Sequence, residues 1–274
     1  MDLTGAEAPT SEAAGSRIVD ALAKKAGEAK QKIQAAYDEA RDAGDMAEPV
    51  PYQRIRDYID EQSPTTREQL APIIKMVDEQ LAKSDPDGTG TVPISALEDI
   101  RQAIRKNTQY GTPNSVHGGE LIQRIDQATE GAGGDLYQSA RKMYADYAAE
   151  FKNRAVVADL LGTKKGGADR KVALENVVSR AVRGGSLDDL NFLKRSLLDA
   201  GEDGRQAWRE LQGQTISDIR DAALQNVGRD ERGNPIVSAA ALNKRIGALD
   251  SSGKLEVIFG SRGAEHLRDL NDIA

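Results

Sequence analysis

Residues 85–92, Asp-Pro-Asp-Gly-Thr-Gly-Thr-Val, follow the opening of an EF-hand calcium loop, with oxygen-bearing residues at its odd places and a glycine at the sixth. Such a loop needs a bidentate glutamate at its twelfth place to supply ligand oxygens and charge. Ala96 stands there instead, and Glu98, two residues later, has the spacing of a capping box with Ser95. The run is expected to be a polar turn between helices. Residues 162–167, Gly-Thr-Lys-Lys-Gly-Gly, lack the preceding strand and the Gly-Lys-Ser/Thr ending of a phosphate loop. Residues 131–134 follow a helix and are expected to end it in left-handed backbone geometry.

The two histidines, His117 and His266, are far apart and form no HExxH-like pair, and the absence of cysteine removes thiolate and zinc-thiolate chemistry. Carboxylates such as Asp38, Glu39 and Glu175 have basic residues a few places away, as on a solvated helix face. No residue is therefore assigned a catalytic, cofactor-binding or metal-binding role. The one basic concentration is Lys164, Lys165, Arg170 and Lys171, with Arg180 and Arg183 downstream, and it is the candidate contact patch for a phosphate backbone or an acidic partner. Trp208, the single tryptophan, fits the buried stripe with Ala207 and Leu211 and is also the candidate interface anchor.

The elements that must position these residues are helices. Apolar residues recur at three- and four-residue steps from residue 16 to about 44, predicting one long amphipathic helix. Further helices are predicted at 52–61, at 65–84 behind a Thr65–Glu68 capping box and with a kink at Pro72, at 95–107 and around 121–125. A second long helix is predicted over 135–161. Others follow at about 172–182, behind Ser186 and Asp189, at 203–227, 238–249, 255–259 and 264–273. The expected fold is an all-α, multi-helix bundle with one or two long helices, several short ones and no appreciable sheet. Residues 1–15, poor in groups to bury, are expected to be a flexible lead-in, with helical regions at 16–130 and 131–274.

Composition agrees with this reading. Hydrophobic residues are 39% of the 274 and aromatics 4%, so the core rests on Ala, Leu, Ile and Val. The formal charge of −7 argues against a general polyanion binder and leaves only local basic patches for nucleic acid. No apolar run reaches the length of a membrane span, and no signal peptide is visible at the start.

Several stretches resemble, in collinear order, large virion-associated proteins of tailed bacteriophages and prophages. They are residues 36–50 (Ala-Tyr-Asp-Glu-Ala-Arg-Asp-Ala-Gly-Asp-Met-Ala-Glu-Pro-Val), 104–108, 128–136 (Ala-Thr-Glu-Gly-Ala-Gly-Gly-Asp-Leu), 157–168, 206–212 (Gln-Ala-Trp-Arg-Glu-Leu-Gln), 253–260 and 263–274. The resemblance implies an internal or ejection (DNA-transfer) component: a structural module without cofactors, located in the virion and passing into the host cell with the genome. It further implies assembly with itself, as a homo-oligomer, or with portal or tail proteins. It carries over no catalytic residue. The closing apolar helix is expected of a piece cut from a longer polypeptide.

Overall fold

The computed structural model describes residues 9–108, 113–164, 168–225, 227–229, 231–233 and 236–273. Lys165, the glycines at 166 and 167, the loop at 111–112 and the first eight residues of the expected lead-in lie outside the described residues. The chain is all-α, and its only strands among the described residues are β1 (Pro49–Pro51) and β2 (Thr91–Pro93). These pair antiparallel with Val50 opposite Val92, and prolines on both strands remove the donors that would extend the ladder. No helix of the described residues is long and apolar enough to cross a membrane.

The contacts divide the chain into two compact units. One is the segment Lys30–Ala145, and the other joins the described residues up to Ala29 with those from Asp146 onward. The boundary expected at residues 130 and 131 is displaced, because α1 (Ser11–Asp42) and α6 (Asp135–Phe151) each run from one unit into the other. At 32 residues α1 is about 48 Å long.

In the Lys30–Ala145 unit, α2 (Gln53–Asp60), α3 (Pro64–Ser84), α4 (Ile94–Asn107) and α5 (Pro113–Ala128) enclose a core of Ile55, Leu70, Val77, Leu81, Leu97 and Ile104 with its neighbours. The Thr65–Glu68 box does not form. Pro64 occupies the first turn, where its missing amide is harmless, so the cap falls to Ser63, whose Oγ accepts from the Thr66 amide at 3.2 Å. The Ser95–Glu98 box also fails, because β2 feeds directly into α4 and Pro93 becomes the capping residue. The Ser95 amide instead donates to the Met46 carbonyl at 3.0 Å.

The other unit contains the first half of α1 together with α7 (Ala155–Leu161), a 3₁₀ turn (Leu174–Asn176), α8 (Val177–Ser179), a π-helical turn (Arg180–Gly184), α9 (Leu187–Leu198), α10 (Gly201–Leu224), α11 (Ala239–Ser251) and α12 (Lys254–Ile273). The lead-in expected to residue 15 is helix from Ser11: the Thr10 hydroxyl accepts from the Ala13 amide at 3.2 Å, and Ala14 is wholly buried. The small side chains here permit close approach. A Cβ on Gly15 would lie 1.9 Å from the Leu174 carbonyl oxygen.

The helix expected over 135–161 breaks, with α6 closing at Phe151 and α7 opening after Arg154. The reciprocal Ser186–Asp189 capping box is present at α9. The two closing helices expected at 255–259 and 264–273 are present as the two arms of α12, separated at Gly260, which takes the non-helical φ of 71°.

Candidate functional site

The calcium-like run is a closed turn. Asp85 Oδ1 accepts from the amide and hydroxyl of Thr89 at 2.8 and 2.9 Å, and Oδ2 from the Gly90 amide and the Tyr52 hydroxyl, both at 2.8 Å. Four donors occupy the carboxylate, which has about four lone-pair directions to offer. Burial pushes its pKa upward, but these hydrogen bonds win and hold it at about 2. Asp85 thus ties Tyr52 to the turn ahead of β2. Among the described residues, no group of three or more His, Asp or Glu side chains could hold a metal ion.

The basic concentration is partly assembled and partly dispersed. Thr163 and Arg170 form an antiparallel bridge, with the Lys164 amide donating to the Asp169 carbonyl at 2.6 Å and the Lys171 amide to the Gly162 carbonyl at 2.9 Å. Gly162 is required here, since a Cβ would stand 2.7 Å from the Ala158 carbonyl oxygen. Arg170 turns inward and donates to the Leu160 carbonyl at 2.6 Å, leaving its buried Nε without a partner. Lys164 is exposed. Among the described members of the quartet, Lys171 lines a depression, together with Arg180.

That depression, of about 460 Å³, is lined by Asp159, Lys171, Val172, Ala173, Asn176 and Arg180. A second, of about 450 Å³, shares Asn176 and Arg180 and adds Ser179, Arg183 and Gly184. Asp159 lies 3.6 Å from the Lys171 ammonium and 3.5 Å from the Arg180 guanidinium, both about half exposed, and Arg183 lies 3.4 Å from Asp218. Pairs this long and this wet are weak. Among the described residues, three cations therefore line the two hollows against one carboxylate.

The segment beneath them was expected to be a regular helix. Instead its last turn is π-helical, a rare form that recurs at functional sites. Lys254 of α12, buried, donates to the Val182 carbonyl at 2.8 Å and also to the Gly185 carbonyl. A cation at this end satisfies carbonyls that the helical ladder would otherwise leave open. Desolvation lowers the Lys254 pKa, opposed by the nearby charge of Asp189. No spacing in the sequence marked Lys254, because its partners lie about seventy residues earlier.

Two further polar clusters escaped sequence reasoning for the same cause. In the Lys30–Ala145 unit, Glu98 accepts from Arg101 Nη1 at 2.8 Å and from the Tyr137 hydroxyl at 2.6 Å, all three being buried. Arg101 Nη2 also stands 2.6 Å from Asp126, which Arg141 reaches at 2.9 Å. This contact is a close ion pair outside hydrogen-bond alignment, and Arg101 Nε has no partner. Burial and the Glu98 charge push Tyr37 up to about 12, and burial, with Glu98 beside it, likewise raises Tyr137. In the other unit Glu150 Oε1 accepts from Lys25 at 2.6 Å and from Ser196 at 2.7 Å. Ser196 is buried, so its hydroxyl links helices and does not meet solvent.

His117 Nδ1 is 2.7 Å from the Tyr58 hydroxyl, joining α5 to α2, and His266 is exposed. Trp208 is 5% exposed, with the Lys194 ammonium 5.4 Å from its ring centroid, so it anchors the core of its unit and presents no face for a partner. Gly131 and Gly133 take the left-handed φ expected of a helix end. Comparison with protein families, with curated proteins and with solved structures finds no match to this chain.

Proposed function

We propose that this chain is a non-enzymatic structural module of a phage virion or phage-delivered internal protein, working by helix-mediated assembly with itself or with portal or tail proteins. The supporting observation is where the phage-like stretches meet. Within the Lys30–Ala145 unit, stretch 36–50 touches stretch 128–136: the Gly134 amide donates to the Asp45 carbonyl at 3.2 Å, the Leu136 amide to the Asp45 carboxylate at 2.9 Å and the Gly133 amide to Glu48 at 2.7 Å. These carboxylates satisfy free amides at the start of α6. In the other unit Gln212, from stretch 206–212, donates to the Ile258 carbonyl of stretch 253–260. The stretches carrying the resemblance hold helix ends and helix pairs together, which is what a structural role asks of them.

The surface for assembly on this reading includes the last turn of α12, where Leu270 and Ile273 are 44% and 83% exposed. Light scattering on the purified chain, across a concentration series, is expected to show an oligomer that Leu270→Asp with Ile273→Asp weakens. A monomer at every concentration that also fails to bind virion proteins, or hydrolysis of peptidoglycan or nucleic acid by the chain, would refute the proposal. A host-acting, DNA-associated role is the second reading, and the paired basic hollows favour it. A cell-wall hydrolase would need two facing carboxylates, whereas Asp159 is the single carboxylate among the described residues lining the two hollows.

A further inference from the structure

We infer that the twin depression along residues 171–184 binds the phosphodiester backbone of a polynucleotide, independently of base sequence. Lys171, Arg180 and Arg183 line it in succession, and Arg180 belongs to both hollows. An isolated phosphate would fill one hollow, whereas a polymer with regularly spaced charges engages both. The cations are gathered yet free to change partner. Lys171 and Arg180 share one carboxylate at 3.6 and 3.5 Å, and Arg183 pairs with Asp218 at 3.4 Å. Guanidinium groups take phosphate oxygens in pairs, and the Asn176 and Ser179 side chains add neutral hydrogen-bonding groups between them.

None of the described lining residues is aromatic, so the hollows offer no stacking platform for a base. Recognition is therefore of backbone alone. The frame is fixed from below, because Lys254 holds the carbonyls at the end of the π turn that carries both arginines. The chain's net charge of −7 opposes a polyanion elsewhere on the surface, so binding is local and steeply salt-dependent.

The test is fluorescence anisotropy of a labelled mixed-sequence DNA duplex titrated with the full chain over a series of low salt concentrations. Three phosphate contacts predict a slope of log K on log salt of about −2.7. Lys171→Gln with Arg180→Gln should flatten that slope by about two units. Lys244→Gln with Arg245→Gln, exposed on α11 and equal in charge change, should leave it unaltered. Circular dichroism establishes that both variants are folded. A measurement needing no variant is acetylation of the wild-type chain read by mass spectrometry, in which DNA should protect Lys171 and leave Lys244 reactive.

The inference is overturned by absence of binding at the lowest salt, by equal loss in the two variants, or by equal protection of both lysines. It is also overturned if polyglutamate displaces the duplex as well as unlabelled DNA does, or if inorganic phosphate binds and the duplex does not. These outcomes leave the oligomer test of the assembly proposal untouched, so the two can fail separately.

Discussion

Replacing Arg101 by Met probes the most deeply buried charge cluster in the molecule's described part. Glu98 and Arg101 are 4% and 3% exposed, and Arg101 supplies Glu98 with contacts at 2.8 and 3.1 Å. Without the guanidinium, Glu98 keeps only the Tyr137 hydroxyl at 2.6 Å, and Asp126 keeps only Arg141 at 2.9 Å. Removing one partner of a buried pair leaves an uncompensated charge, and the expected destabilisation is about 3–5 kcal/mol. Replacing both, Glu98→Leu with Arg101→Met, removes that charge and leaves the Tyr137 hydroxyl as the main orphan. The double variant should therefore lose about 1–3 kcal/mol, less than the single one. Urea unfolding followed by circular dichroism gives the energies. Because the two units need not unfold together, amide exchange in α4 and α5 locates the loss. An Arg101→Met cost below about 1 kcal/mol, or a double variant as damaged as the sum of the singles, would refute the account of Glu98 and Arg101 as a desolvated, mutually dependent pair.

Other perturbations follow from the same structure. Asp85, held at about 2 against an ordinary 3.8, should contribute stability that is present above pH 3.8 and lost as pH falls toward 2; acid unfolding of Asp85→Asn should lack that limb, and an unchanged profile would remove Asp85 as its source. Tyr37, raised from 10.0 to about 12, should favour the fold below pH 10 and lose that contribution as pH rises through 12, which spectrophotometric titration of Tyr37→Phe against wild type checks. Lys254→Met leaves the Val182 and Gly185 carbonyls without their donor and should cost about 1–3 kcal/mol, with faster amide exchange confined to residues 177–185 and their surroundings. Gly204→Ala would set a Cβ 1.8 Å from the Leu197 carbonyl oxygen, and overpacking of about 1–3 kcal/mol should appear in its thermal melt.

The helical character was readable from residue order alone, since helix propensity and apolar spacing act over one or two turns. The C-terminal end of α1, the Ser186–Asp189 box and the break at Gly260 all depend on neighbours within a few positions, and there sequence and structure agree closely. Where local rules competed with packing, packing won. Glu98 had the spacing of a cap and became a buried ion-pair partner, because Arg101 and Tyr137 converge on it from α4 and α6. Ala14 and Gly15, within the expected lead-in, are buried, since their small size admits Leu174 against α1.

The basic cluster shows the division most clearly. Residue order supplied the charges of Lys164, Arg170 and Lys171 but not their directions. Arg170 turned toward the Leu160 carbonyl, while Arg180 and Arg183 came to stand with Lys171 around the hollows. Charge type is a property of each residue, whereas convergence depends on distant contacts: Lys254, about seventy residues away in sequence, donates to carbonyls at the end of the turn on which both arginines sit. Residue order determined that the chain is helical, acidic overall and without cysteine chemistry, because those are local or additive properties. Tertiary structure alone decided which polar groups are buried together and which cations share a surface, because that depends on contacts between segments far apart in the chain.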